Sequence, residues 1–265
     1  MALDVSGLRG LESAVFPVRA RSVFQAGSVP GIFTMNAALP VSVPMALATL
    51  GGTVFWSAGY VLMIRREWKD KTFAEPVVVS CVNLAWEFLF SFHYTVRTFA
   101  RYGNIAWMAL SAVLVWMAWR FGPEDFANPL VKSALRPSMV AMLGACLLLE
   151  WGFVEAYQDY FGKALGSVTA VINAAMFLAL LLRRGSVRGQ SVYIALAMLL
   201  GNLCTLYLVL QPFPHLPPPE PPAPPETPPV LVKSLFAVLL PLNVAYVVMI
   251  IAQCRKEGVA VWRRW

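Results

Sequence analysis

Residues 191–210 read SVYIALAMLLGNLCTLYLVL, a run without a single charge. An α-helix rises about 1.5 Å per residue, so about 20 such residues cross the roughly 30 Å of a bilayer's hydrocarbon. Lipid cannot satisfy open backbone N–H and C=O groups, which leaves helix as the form this run must take. Six more stretches share its character, at roughly 44–64, 76–96, 104–119, 137–157, 166–182 and 230–253. The third and fifth of the seven are short for a span. Prolines 44, 76 and 137 stand where helices are expected to begin, a position that tolerates proline. The expected fold class is therefore all-α: a polytopic membrane protein, one bundle of about seven transmembrane helices.

The rest of the composition agrees. The chain has 265 residues, 58% of them hydrophobic and 13% charged. Soluble domains carry about 25% charge. The formal net charge is +7, but the basic residues flank apolar stretches, which is a topology signal and not a nucleic-acid one. Fourteen lysines and arginines fall on one side of the expected bundle, in RREWKDK after the first helix, after the third, after the fifth and in the tail. The other side holds seven. The positive-inside rule then puts the C-terminus in the cytosol and the N-terminus in a lumen or outside. Three regions follow: an N-terminal lumenal segment 1–43, a transmembrane domain 44–253 and a basic cytosolic tail 254–265. Within the domain, residues 211–229 (QPFPHLPPPEPPAPPETPP) form a proline-rich loop, expected to be extended and stiff. The four cysteines lie in or at the end of apolar segments and read as small hydrophobes, not a disulfide set. The two histidines are far apart, so no metal is expected and no cofactor is indicated.

Ionisable groups inside a membrane are costly, and each is a functional candidate. Glu87 lies in the second stretch and Glu150 in the fourth, both roughly 16–20 Å from the cytosolic end if the helices begin at their prolines. Asn83 is one helical turn before Glu87 and shares its face. Asn243 lies midway along the seventh stretch, with Tyr246 three residues on; Asn173, Asn202 and Thr205 add polar points. The plain alternative is that such groups only hydrogen-bond between helices. A carboxyl in an apolar interior stays protonated near neutral pH, and a neutral carboxylic acid can donate a proton. Trp56, Tyr60, Trp86, Phe90, Trp151 and Tyr246 occupy the same regions. Aromatic faces stabilise cations, by about 2 kcal/mol when desolvated, although any one ring is as well explained by packing or an interfacial belt.

The stretch 59–92 reads GYVLMIRREWKDKTFAEPVVVSCVNLAWEFLFSF. It resembles the membrane-bound terpene cyclases of fungal meroterpenoid and indole-diterpene biosynthesis. The matching points are Gly59-Tyr60, Ile64-Arg65, Asp70-Lys71-Thr72 with Pro76, Cys81, Asn83 and Trp86-Glu87. The N-x-x-W-E element is the most specific of these. The resemblance implies an enzyme that cyclises a prenyl chain on an aromatic or polyketide head group, usually after terminal epoxidation. It implies Glu87 as the acid that opens the epoxide, and a second acid in the last helix in a motif like L-D-x-x-Y. Here that motif is Leu242-Asn243-Val244-Ala245-Tyr246, with an amide in place of the acid. Asn243 cannot deliver a proton, which leaves three readings: Glu87 is the acid and Asn243 orients it, Glu150 replaces the missing acid, or the activity is lost or changed; the first is the expectation. Asn83, Trp86, Tyr246, Trp56, Phe90 and Trp151 are expected to line the substrate site. No D-D-x-x-D or D-x-D-D element is present, so a metal-independent, proton-initiated reaction is expected.

The expected partners are a hydrophobic prenylated small molecule, the bilayer and other pathway enzymes in the same membrane; no nucleic acid is expected. The competing class is a small-molecule or proton-coupled transporter using the same acids, but paired broken helices and an internal repeat are not evident. A retinal protein needs a lysine in the middle of its last helix, and Lys233 stands at that helix's start.

Overall fold

The computed structural model describes residues 42–94, 98–211 and 229–265. The expectations for residues 1–41 and for the proline-rich loop 212–228 lie outside the described residues. Among the described residues seven α-helices form the bundle: α1 Val43–Asp70, α2 Val77–Phe88, α3 Thr98–Phe121, α4 Pro129–Tyr157, α5 Lys163–Arg184, α6 Val192–Leu210 and α7 Pro229–Lys256. No strand occurs among the described residues. Six of the helices are long and apolar enough to cross a membrane. The second is the shorter one: α2 runs straight into a π-helical turn, Leu89–His93, and together they form one apolar helix, Val77–His93.

The helix ends follow local chemistry. Ser42 caps α1 by accepting from the Met45 N–H at 3.4 Å, and Asn128 caps α4 by accepting from Leu130 N–H at 2.9 Å. An N-cap oxygen of this kind satisfies a donor that the first turn leaves open. Four helices depart from their expected bounds. α1 continues to Asp70, so Arg65, Arg66 and Lys69 ride its last turns instead of a loop. α4 begins at Pro129, and Pro137 sits inside it. The third and fifth helices are full spans of 24 and 22 residues, because they run past the apolar windows at both ends, from Thr98 to Phe121 and from Lys163 to Arg184.

α2 packs on α3, α4 and α5, α1 on α6 and α3, and α7 on α5 and α6. The largest buried cluster joins Tyr60 and Met63 of α1, Phe177 and Leu181 of α5, Ile194 and Met198 of α6, and Tyr246 and Ile250 of α7. The outer faces are apolar as well: Phe88, Leu148, Leu149 and Val248 are all exposed. A bundle apolar inside and out is what lipid as solvent requires.

At the basic end two carboxylates tie the segments together. Asp125 accepts from Arg184 at 2.7 Å, from Arg188 at 3.0 Å and from the Thr72 hydroxyl. Asp70 accepts from Arg66 at 2.5 Å, from Arg264 at 2.6 Å and from the Gly189 N–H at 2.7 Å. The four basic segments therefore share one end of the bundle, as the charge asymmetry requires. The tail is tied down as well. Arg264 also donates to the Val187 and Gln190 carbonyls, and the Arg65 guanidinium lies 3.4 Å from the centre of the Trp265 ring.

Candidate active site

Six helices each bring a buried polar side chain to one level. Tyr60, Glu87, Ser111, Asn173, Asn202 and Tyr246 each stand about ten residues, or roughly 15 Å, from the basic end of their helix. All six are buried. In an apolar bundle a polar layer of this kind is expensive unless its groups find partners.

Glu87 is 3% exposed and points inward from α2, while its neighbour Phe88 faces out. Its Oε1 accepts the Tyr60 hydroxyl at 2.5 Å. Tyr60 has then spent its one proton, so the Ser111 hydroxyl must donate to the Tyr60 oxygen, 3.2 Å away. Oε2 of Glu87 has no protein partner. A neutral carboxylic acid fits this arrangement, with Oε1 as its carbonyl oxygen and the acidic proton on the unpartnered Oε2. Glu150 of α4 is 5% exposed, and neither of its oxygens has a protein partner. It lies close enough to Glu87 for the two charges to repel. Leu147 and Val154, one turn to either side of Glu150, pack in the same cluster as Trp86, Leu89 and Phe90, which brings the two acids to a common depth.

Asn83 does not touch Glu87. Its amide nitrogen donates to Glu75 Oε1 at 3.0 Å, and its oxygen accepts from Asn173 at 3.1 Å. Asn243 requires a correction. It donates to the Leu239 carbonyl of its own helix at 3.0 Å, leaving its Oδ1 without a partner. The group that orients Glu87 is Tyr60. Tyr246 is fully buried against Phe177, ring centres 5.7 Å apart, and its hydroxyl has no partner.

Trp86 of α2 and Phe90 of the π-helical turn stack with ring centres 4.6 Å apart. Both rings pack over Gly162 at the start of α5, where φ is 67° and an added Cβ would lie 2.8 Å from the Phe90 ring. Glycine meets both demands, a left-handed backbone and no side chain. Trp56 lies one turn from Tyr60 at the α1–α6 contact, with its indole N–H 3.4 Å from the Thr205 hydroxyl. Trp151 also needs correction: at 47% exposed it faces outward. Successive helical residues turn by about 100°, so with Glu150 pointing in, the next side chain swings away.

Several participants were not anticipated from the sequence. Tyr60 stands in the sequence as a ring and as a matching point of the resemblance, not as a partner of Glu87; Asn173 stands there only as a polar point, and Ser111 and Glu75 carry no signal. Glu75 lies in the connection between α1 and α2 yet is 1% exposed. Burial pushes its carboxyl up to about 7, while the Ser80 and Asn83 side chains restrain that rise.

Residues 36–217 match the profile of the Pyr4-like transmembrane terpene cyclases. The chain belongs to this family. Among curated relatives, terpene cyclase mfmH of Annulohypoxylon moriforme is 28% identical over 51% of this chain and 57% of its own length. Terpene cyclase macJ of Penicillium terrestre is 29% identical over 61% and 64%. Terpene cyclase andB of Emericella variicolor is 27% identical over 63% and 72%. The matched region thus spans less than two thirds of the first two relatives. No solved structure matches the chain. All three relatives are named terpene cyclases, and this Pyr4-like chain carries its candidate acid, Glu87, within the matched region.

Proposed function

We propose that this Pyr4-like chain is a terpene cyclase that protonates the end of a prenylated aromatic or polyketide-derived substrate and cyclises it through a carbocation. The observation that carries the reading is Glu87: an inward carboxyl whose Oε1 is held by Tyr60 and whose Oε2 is free to donate.

In the first step the Glu87 proton passes to a terminal epoxide oxygen, one C–O bond breaks, and positive charge develops on carbon. Alkenes along the folded chain attack in turn, forming carbon–carbon bonds. Loss of a proton from a carbon beside the final cation, or capture by a substrate hydroxyl, ends the reaction. One proton enters and one leaves, so the net change is an isomerisation without metal or cofactor. Trp86 and Phe90 offer π faces to the cation, each worth about 2 kcal/mol when desolvated. Glu150, unpartnered and close to Glu87, is the candidate second acid or final base. Asn243 Oδ1 and Tyr246 O–H are unpartnered polar contacts for an oxygen of the substrate. Asn83 acts through Glu75 and Asn173, not on the substrate.

The prenyl tail enters from the bilayer, in the endoplasmic reticulum, beside other enzymes of a secondary-metabolite pathway. The basic end faces the cytosol, as positive charge dictates.

The test is to feed membranes containing the chain with prenylated phenols, with and without a terminal epoxide, in H₂O and in D₂O. Epoxide opening puts the added deuterium on an exchangeable oxygen. Alkene protonation leaves one non-exchangeable deuterium on carbon. Flux of these compounds into proteoliposomes with no chemical conversion would overturn the reading in favour of a transporter.

A further inference from the structure

A second pair of carboxyls lies between Glu87 and the basic end. Glu67, in the last turn of α1, is 0% exposed, and Glu75, in the connection to α2, is 1% exposed. The Oε1 of Glu67 accepts the N–H of Ala74 at 2.7 Å and of Glu75 at 3.3 Å. The Oε1 of Glu75 accepts from Asn83. The Oε2 atom of each acid has no protein partner. Two buried carboxyls, each holding one oxygen in fixed hydrogen bonds and the other unpaired, are costly to a connecting segment that exists only to turn the chain. Neither belongs to the step proposed above, and an acid that gives away its proton in every turnover must be reloaded.

We infer that Glu67 and Glu75 form a proton store that reloads Glu87 from the basic end. This rests on Glu87 being the acid of the proposed reaction. After Glu87 protonates the substrate it remains as a carboxylate. The Glu75 carboxyl then loses its proton to Glu87 and is left ionised beside the Asn83 amide donor. Glu67 and solution at the basic end restore it, so one proton lost by the store appears on Glu87. The groups around Glu75 favour proton movement in this direction. Its charge is felt by Tyr60 and Glu67 of α1 and by Glu87 and Cys81 of α2. Arg184 of α5 acts on Glu67. The cation is thus on the solvent side of the pair and the second acid on the substrate side. A carboxyl pushed up to about 7 exchanges protons readily at neutral pH.

The experiment compares single-turnover and steady-state kinetics of wild type, Glu75→Gln and Glu67→Gln in membranes across pH 5.5–9. The store predicts that both variants keep the first-turnover rate, since Glu87 is already loaded. Steady-state kcat falls at least about tenfold on loss of one proton-transfer residue, and KM falls with it so that kcat/KM is unchanged, because the slowed step follows the chemistry. The wild-type decline in kcat as pH rises through about 7 disappears in Glu75→Gln. Steady-state rates and pH profiles that overlay the wild type overturn the inference. Equal loss in the first and later turnovers also overturns it, because that marks a structural role. If Glu75→Gln does not accumulate, Glu67→Gln decides by the same criteria. Glu87→Gln separates the two readings: turnover in that variant sinks the proposed function, whereas no product there with unaltered Glu75→Gln sinks only the store.

Discussion

Replacing Tyr60 with phenylalanine removes one oxygen atom from the buried cluster that joins α1, α5, α6 and α7 and leaves its shape intact. What is lost is the 2.5 Å hydrogen bond to Glu87 Oε1, and with it the acceptor for Ser111. A buried acceptor left without its donor costs about 1–3 kcal/mol. At about 1.4 kcal/mol per factor of ten, the proposed proton transfer slows by about 5- to 150-fold. The loss falls on kcat, because Tyr60 fixes the acid and is not expected to bind the substrate. Ser111→Ala acts through Tyr60 and costs about 1 kcal/mol, or roughly fivefold. In the double variant the two effects do not multiply, since residues in one network couple. The assay is product formation in membranes with protein levels matched by immunoblot. A wild-type kcat in Tyr60→Phe, or a full extra fivefold loss when Ser111→Ala is added to it, would refute this reasoning.

Four further outcomes follow. Asp125→Ala leaves Arg184 without its partner in a site where Asp125 is 4% exposed; breaking such a pair costs about 3–5 kcal/mol and should lower the thermal transition of the purified chain by on the order of 10 °C. Gly162→Ala meets both a left-handed backbone and the Phe90 ring, so it should destabilise the chain by at least about 1 kcal/mol and reduce turnover by moving Phe90. Trp151→Ala, on the outward face, should leave kcat within about twofold, since surface changes of this kind rarely exceed about 0.5 kcal/mol. Glu75 gives a stability-linked pH effect. Its folded pKa, about 7, lies above the ordinary carboxylate value, so the neutral form favours the fold, and stability is lost as pH rises from about 4.5 through 7. Glu75→Gln should therefore be more stable than wild type above pH 7, by up to about 3 kcal/mol, and equal to it below pH 5, as read from thermal denaturation in detergent.

The bundle was legible because lipid demands long uncharged runs, and seven such runs stand out between charged punctuation. Boundaries were less so. Pro137 reads as a helix start, but the chain before it, from Pro129, is already helical under an Asn128 cap. Arg65 to Lys69 read as loop charges, although a helix end at an interface carries such side chains at little cost. Glu87 was legible as an acid inside an apolar run. Glu75 was not, because it follows a charged stretch and precedes a proline, the pattern of a solvated turn. Tyr60 matched the family resemblance, but nothing in the sequence tied its hydroxyl to Glu87, because the two stand on different helices. Nor does periodicity orient helices that are apolar all round, so Glu150 could not be seen to face in while Trp151 faces out. Asn243 failed as the orienting group for a local reason: mid-helix, its own carbonyl at Leu239 is an acceptor always at hand.

Single-turnover product formation by Glu87→Gln, at matched protein level and with Glu87→Asp beside it, probes the acid itself. The amide keeps the shape and the Tyr60 contact but has no proton to give, so no cyclised product should form, while the shorter acid should retain slow turnover. Cyclised product from Glu87→Gln at the wild-type rate would mean that the proton comes from elsewhere.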